Sequence, residues 1–373
     1  MKCNIRTLIG GIAMANSVLE KKRMFITGNE AVAFAAIAAK ADALFGYPIT
    51  PQTEVMQYWT KYAPKYNKLF LQTEDELSAG YYTLGAVMTG KRAFTSTSGP
   101  GNVLMQEPMS MAEMMRIPIV FVIQQRGGPS TATVIYGQQE TTLTAFGGNG
   151  EGFRVVYSTA SHQELFDYTI KSFNTAWKYR FPTYVLGDGY QGKMRESLMV
   201  YDPEQEGMEF VAPYALAGNA GVEGYKHHRN TYNTEEELYD ILQAHIRDYD
   251  AMAPNVVEWD TRWCEDADTV VISHGIVSRS CVAACTTFQS EGQKVGYFRP
   301  ITIRPFPVKE LREAVQKAKR IILFESAQGQ LYKMITEALY GLTIPITSIL
   351  RPGLGITTEE VYRETTNLLS RKG

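Results

Sequence analysis

The stretch Phe45–Glu54, FGYPITPQTE, decides how this chain is read. It follows a short apolar run and precedes an amphipathic one. Pro48 and Pro51 fix the backbone of the intervening loop and remove two amide donors. Thr50 stands between them, a hydroxyl on a stiff loop. A short buried strand that ends in a rigid loop carrying one polar group is how open α/β sheets build sites at their strand C-termini.

Working outward, short apolar runs alternate with amphipathic ones. Strands are expected at Lys22–Thr27, Ala41–Tyr47, Lys68–Thr73, Arg92–Ser96, Ile117–Gln124, Phe153–Tyr157 and Pro182–Gly187. Helices are expected between them at Glu30–Lys40, Asp75–Thr89, Asn102–Met115 and Gln163–Tyr179. This rhythm predicts an α/β fold with a doubly wound parallel sheet. It fades from about residue 191, in a Gly-, Asn-, Glu- and Tyr-rich excursion that holds one helix near Glu235–Asp250. It resumes at Asp268 with the strands DTVVIS, KVGYF, KRIILFES and ITSIL and three helices between them, a smaller second α/β domain. The division expected is an extension over 1–23, a first domain over 24–255 with the excursion at about 191–255, and a second domain over 256–373.

Composition narrows the function. A chain of 373 residues has room for two cores, and 45% hydrophobic with 20% charged residues is the balance of a soluble protein. A net charge of −2 implies no cationic surface for nucleic acid. Cys3, Cys264, Cys281 and Cys285 contain no CxxC pair, too little for an iron–sulfur cluster or a disulfide framework. Cys281 and Cys285, four apart, read as packing residues on one helix face. The start, MKCNIRTLIGGIAMANSVLE, is conceivable as a weak secretory signal, but Asn16 and Ser17 interrupt its apolar run, so a flexible extension and a cytoplasmic protein are expected. No segment approaches a membrane span.

Five loops follow strands of the first domain and are expected to converge at one sheet edge: Gly28–Ala31, Tyr47–Glu54, Gln72–Glu76, Thr95–Asn102 and Gln124–Thr131. Glu76 has two readings. With Thr73 it forms a capping box for the next helix; alternatively it is a buried acid at a cofactor, with Glu74 as a competitor. Arg126 ends the apolar run IPIVFVIQQ and precedes two glycines and a proline. It reads either as a structural arginine or as a fork for a carboxylate ligand, the glycines letting that ligand approach. TSTSGPG joins hydroxyls, two glycines and a helix start, an anion cradle or a turn capped by Ser98. It matches no nucleotide motif. GDG at Gly187–Gly189, with Asn219 far beyond, is rejected as a magnesium site because no matching strand lies between and a turn is expected there anyway. His162, His227, His228, His245 and His274 show no zinc spacing, so no metal ligand is assigned.

Taken together, Tyr47–Pro51 (YPITP), the acidic QTEDE, Thr97–Glu107 (TSGPGNVLMQE) and Gln125–Thr131 (QRGGPST) resemble the pyrimidine-binding domain of the α-type subunits of 2-oxoacid:ferredoxin oxidoreductases, the pyruvate:ferredoxin oxidoreductase superfamily. Ser273–Ser280 (SHGIVSRS), Arg299–Pro307 (RPITIRPFP) and Ser348–Gly353 (SILRPG) resemble that family's second, transketolase C-terminal-like domain. The resemblance implies a thiamine-diphosphate enzyme that oxidatively decarboxylates a 2-oxoacid to an acyl-coenzyme A. It implies cofactor contacts at Tyr47, Pro48, Ile49, Thr50, Glu76, Ser98 and Gly99. Glu76 would hydrogen-bond the aminopyrimidine and favour the imino tautomer that takes the thiazolium proton; its spacing before Arg126 favours it over Glu74. Substrate contacts would be Thr50, Arg126 on the carboxylate, Ser130 and Thr131. A separate β subunit would hold the diphosphate, magnesium and an iron–sulfur cluster, with γ and δ subunits and ferredoxin as further partners. RGGPST resembles the 2-oxoglutarate branch, and MQEPMSMAEMMRIP the branched-chain (2-oxoisovalerate) branch. Arylglyoxylate and pyruvate use stay open, as do a non-oxidative thiamine enzyme and an idle scaffold subunit.

Overall fold

The computed structural model describes residues 19–215 and 228–370. Cys3, Asn219, His227 and the apolar run before Asn16 lie outside the described residues.

Strand β1 (Lys22–Thr27) leads into α1 (Gly28–Ala38), capped by the Thr27 hydroxyl on the Glu30 N–H. Then come β2 (Ala43–Gly46), α2 (Thr53–Tyr62), β3 (Leu69–Gln72), α3 (Glu76–Met88) and β4 (Ala93–Thr97). Two short helices, α4 (Pro100–Leu104) and α5 (Gln106–Met114), precede β5 (Val120–Gln125). The first half continues through α6 (Thr141–Phe146), β6 (Val155–Ser158), α7 (His162–Tyr179), β7 (Thr183–Asp188), α8 (Gly189–Lys193) and β8 (Arg195–Val200). After α9 (Glu235–Met252) and β9 (Trp259–Arg262), the second half runs β10 (Thr269–Ile272), α10 (Val277–Ser290), β11 (Val295–Pro300) and β12 (Thr302–Arg304). It ends with α11 (Val308–Ala314), β13 (Arg320–Glu325), α12 (Gln330–Ala338), β14 (Ile346–Leu350) and α13 (Thr358–Ser370).

The large sheet has seven strands in the order β12-β6-β7-β5-β4-β2-β3, parallel except for β12. The smaller has five, β14-β13-β10-β11-β9, parallel except for β9. Strands β4, β5 and β7 are buried along their whole length, which is why they read as continuous apolar or small-residue runs. The Ala-rich α1 is buried on every side and packs with Phe166, Ile170 and Phe173 of α7 against one face of the large sheet. Met105, Met109 and Ala112 pack against the other face.

The fold class is the doubly wound α/β expected, and several details differ. β1 is not in the parallel sheet; it pairs antiparallel with β8, itself inside the stretch read as irregular. The Gly28–Ala31 segment is therefore the first turn of α1 and not a strand-end loop. The single helix expected over Asn102–Met115 breaks at Met105, where α4 ends and α5 starts. β12 follows β11 in the chain but crosses to the edge of the large sheet, pairing Thr302 with Tyr157 and Arg304 with Val156. The two halves thus share a sheet. Cys281 and Cys285 are buried in the second core, where burial pushes the Cys281 thiol up to about 12.

What matters for the site is the strand order. From β2 the chain moves outward to β3; from β4 it moves the other way to β5. The loops after β2 and β4 therefore part company at neighbouring strands. Only Ala43–Ala93 and Leu44–Phe94 pair between those strands, and beyond them the pairing ends. Ligands of open α/β sheets bind at such a switch point.

Candidate active site

The loop after β2 is held from three sides. Asn29 of α1 donates to the Pro51 carbonyl at 2.8 Å and accepts from Gln124 of β5 at 3.0 Å. Gln52 is fully buried; it donates to the Tyr47 carbonyl at 2.8 Å and accepts the Ser96 hydroxyl of β4 at 2.7 Å. Arg126 Nη1 donates to the Thr50 carbonyl at 2.6 Å. This leaves Thr50 itself exposed at the loop tip, with Tyr47, Pro48 and Ile49 half-buried below it.

Arg126 follows β5 and is 3% exposed. Its Nε and Nη2 have no hydrogen-bond partner among the described residues. Burial lowers its pKa, and Glu140 and then Glu76 act in the opposite direction. The guanidinium lies against Gly99, which follows β4 with φ 51° and ψ −118°. A Cβ on Gly99 would stand 2.5 Å from Arg126 Nε, so the close approach requires glycine here. A desolvated guanidinium with two free donors is a receptor for a carboxylate.

Glu76 opens α3, 4% exposed, and Glu74 is exposed to solvent. Burial raises the Glu76 carboxyl; its own N–H and the more distant Arg126 oppose that, and Asp75 adds to it. The capping box expected from Thr73 and Glu76 is not formed. Asp75 is the cap, its carboxylate accepting the Ser78 N–H at 2.7 Å, while Thr73 donates to the Asp75 carbonyl. Asp75 is better placed because its short side chain reaches the open amides directly. Glu76 is thereby left free to point inward, where a Cβ on Gly101 would come within 2.5 Å of its Oε1 and 2.0 Å of Thr97 Oγ1.

Ser98 does not cap the following helix; the cap position is Gly99. Ser98 Oγ and Thr97 Oγ1 are buried with no partner among the described residues. The structure thus brings Thr50, Glu76, Thr97, Ser98, Gly99 and Arg126 to one crevice. It does not bring in Ser130 and Thr131, which lie exposed beyond Pro129.

One residue of this site gave no sequence signal. Glu140 precedes α6 and is 5% exposed. Its Oε1 accepts the Gly99 N–H at 2.8 Å and Asn102 Nδ2 at 3.1 Å; its Oε2 accepts the Arg126 N–H at 2.9 Å. Burial nevertheless pushes its carboxyl up to about 7. The rejected GDG closes β7 and opens α8, where Asp188 accepts the Gln191 N–H at 2.8 Å. Among the described residues no group of three His, Cys, Asp or Glu stands ready for a metal, and no helix is long and apolar enough to cross a membrane.

Comparison with known proteins shows the family and the fold. Residues 34–258 match the family described as pyruvate flavodoxin/ferredoxin oxidoreductase, thiamine diphosphate-binding, and residues 267–360 match pyruvate:ferredoxin oxidoreductase core domain II. The 2-oxoglutarate synthase subunit KorA of Methanothermobacter marburgensis is 34% identical, covering 85% of this chain and 92% of the relative. The ketoisovalerate oxidoreductase subunit VorB of the same organism is 32% identical, covering 84% and 89%. A solved 2-oxoglutarate:ferredoxin oxidoreductase from Magnetococcus marinus, with 2-oxoglutarate, coenzyme A and succinyl-CoA bound, superposes with a TM-score of 0.83 at 25% identity. The match covers 93% of this chain and 65% of that one. An inactive split-gene transketolase, 12% identical with a TM-score of 0.56, shares the fold.

Proposed function

This chain belongs to the 2-oxoacid:ferredoxin oxidoreductases as an α-type subunit, and from that premise we propose that it forms half of an active site that oxidatively decarboxylates 2-oxoglutarate onto coenzyme A. The observation that carries the proposal is Arg126, buried beside Thr50 and Glu76 with two donors free. Thiamine diphosphate, when bound, supplies the nucleophilic carbon that attacks the 2-oxo group and the electron sink that lets carbon dioxide leave. The residues present fit it. Thr97 and Ser98 hold unpartnered hydroxyls, and Gly101 clears the space before the Glu76 carboxylate. Tyr47, Pro48, Ile49, Ser98 and Gly99 would wall the cofactor. Glu76 would hold a proton at the aminopyrimidine ring nitrogen, a task for which a desolvated carboxyl with a raised pKa is suited. Arg126 would bind the substrate carboxylate through Nε and Nη2, with Thr50 beside it. Ser130 and Thr131 would approach the substrate only from an exposed loop.

The other half of the site would come from a partner. Leu77, Tyr81, Tyr82, Val103 and Leu104 are exposed around Glu76 and Gly99, 37% to 59% each, and an open apolar groove runs along α3 beside Tyr81 and Tyr82. Exposed apolar surface of this extent at a site's rim supports a docking face. The occupant would be a β subunit that holds the diphosphate, its magnesium and an iron–sulfur cluster, passing electrons to ferredoxin, with γ and δ subunits completing the complex. We assign 24–255 to the pyrimidine-binding half and 256–373 to the transketolase C-terminal-like half. The VorB similarity favours a second substrate reading, 2-oxoisovalerate. The test is viologen reduction by the native complex with coenzyme A and a panel of 2-oxoacids. The highest kcat/KM is expected for 2-oxoglutarate. Preference for 2-oxoisovalerate replaces the substrate assignment, and no reduction with any 2-oxoacid refutes the activity.

A further inference from the structure

Glu140 takes no part in the chemistry just described, yet its carboxylate binds the main chain of two site loops at once. Oε1 holds Gly99, after β4, and Oε2 holds Arg126, after β5. Among the described residues no lysine or arginine side chain forms an ion pair with it; its buried charge is met by main-chain and amide N–H groups. Asn102 extends the connection, donating also to Thr144 and accepting from Gln106.

Glu140 is itself placed from the second half of the chain. Gln138 exchanges hydrogen bonds with Ser326, N–H to carbonyl and N–H to Oε1, both at 2.9 Å, and donates Nε2 to the His274 carbonyl at 2.7 Å. Gln330 donates to the Gln139 carbonyl at 2.7 Å and accepts the Thr142 N–H at 2.8 Å. His274 follows β10, Ser326 follows β13, and Gln330 opens α12. The segment 138–142 is thus pinned to the C-terminal edge of the small sheet, and its one carboxylate reaches into the crevice of the large one.

We propose that Glu140 is a positioning residue that sets the orientation of Arg126 for the substrate carboxylate and couples that orientation to the small sheet. The inference rests on Arg126 being the carboxylate's partner. In Glu140→Gln the side chain puts an NH2 donor where one carboxylate oxygen was, so either the Arg126 N–H or the Gly99 N–H loses its acceptor. In the reconstituted complex this variant should raise the 2-oxoacid KM about tenfold or more, the effect of one lost buried hydrogen bond. The coenzyme A KM should stay within about threefold of wild type, since Glu140 holds the main chain of Gly99 and of Arg126, the residue read as the 2-oxoacid's partner. Independently of turnover, hydrogen exchange should quicken in peptides holding the Gly99 and Arg126 amides, and stay unchanged in β13 and α12. Gln138→Ala, which cuts the tie to Ser326 and His274, should give the same pattern more weakly, and serves if Glu140→Gln does not assemble. Unchanged 2-oxoacid KM and unchanged exchange at both amides overturn the proposal, as does an equal rise in both KM values. Arg126→Lys in the same series separates the two levels. If it leaves the 2-oxoacid KM unaltered, the reading of Arg126 fails; if it raises KM and Glu140→Gln does not, only the positioning role fails.

Discussion

Gly99→Ala tests the close approach of the loop after β4 to Arg126. The new methyl would lie 2.5 Å from Arg126 Nε and 3.2 Å from Cδ and Cζ, so the guanidinium or the loop has to move by about 1 Å to reach ordinary contact. The loop resists, because φ 51° with ψ −118° is a conformation that only glycine adopts freely; holding alanine there costs about 1–3 kcal/mol. The guanidinium resists too, because moving it breaks the 2.6 Å bond from Nη1 to the Thr50 carbonyl, worth about 1.5–3 kcal/mol as a charge-assisted bond. The two costs are comparable, so the strain divides between stability and the site. A displacement of about 1 Å in a substrate-binding group costs on the order of 100-fold in rate. The expected result is a fall of about 100-fold in kcat/KM for the 2-oxoacid, together with a lower denaturation midpoint for the free chain. Viologen reduction by the complex and urea unfolding of the chain measure the two. Gly128→Ala is the control in the neighbouring loop, since a Cβ there meets nothing within 4 Å. Wild-type kcat/KM and midpoint in Gly99→Ala, or equal damage from Gly128→Ala, refute the reasoning.

Glu76→Gln should abolish 2-oxoacid turnover while the complex still assembles, because Asp75 and not Glu76 caps α3; turnover surviving in it and lost in Glu74→Gln moves the role two residues back. Arg126→Lys should impair every 2-oxoacid whatever its tail, since an ammonium lacks the two-pronged fork; impairment confined to 2-oxoglutarate in steady-state kinetics places Arg126 on the distal carboxylate instead. Gly85→Arg should leave the free chain folded, because a Cβ at Gly85 meets nothing within 4 Å and a better helix former gains up to about 1 kcal/mol in α3. The same change should block co-elution with the partner subunit on size exclusion, and normal co-elution argues against the α3 face as the interface.

The parts of this fold that the sequence declares are those set by local periodicity. β4 and β5 read as strands because both faces are buried, and Arg126 announces itself because two glycines follow a very apolar strand. Local grammar fails where distant residues compete. Thr73 and Glu76 spell a capping box, but Asp75, two residues on from Thr73, captures the free amide first. The segment Thr302–Arg304, β12, looks like a connection inside the second half, and only tertiary pairing with β6 reveals it as an edge strand of the first sheet. Glu140 was unreadable for the same reason. It sits in the irregular stretch between β5 and α6, and its partners Gly99, Asn102 and Arg126 are 41, 38 and 14 residues away. Ser130 and Thr131 show the converse case. Their motif is conspicuous, and the structure leaves both side chains in the open.

The charges of the crevice explain why Arg126 can be buried with donors to spare. Burial lowers its pKa, and Glu140 and then Glu76, standing in its field, act in the opposite direction. Neither carboxylate pairs with it directly. Glu140 spends its oxygens on the Gly99, Arg126 and Asn102 N–H groups, and burial raises both carboxyls. A direct ion pair would satisfy Nε and Nη2 and leave nothing for a ligand. An arginine without nearby carboxylates would carry an uncompensated charge, a heavy penalty at this depth. Field without contact avoids both outcomes, and under the proposed function it leaves Nε and Nη2 for the substrate carboxylate. Covering the crevice with a partner would strengthen that contact further, because excluding water lowers the local dielectric. On the proposed reading the cation finds its partner when substrate arrives, and the exposed apolar rim of Leu77, Tyr82 and Val103 fits a subunit that works inside a complex.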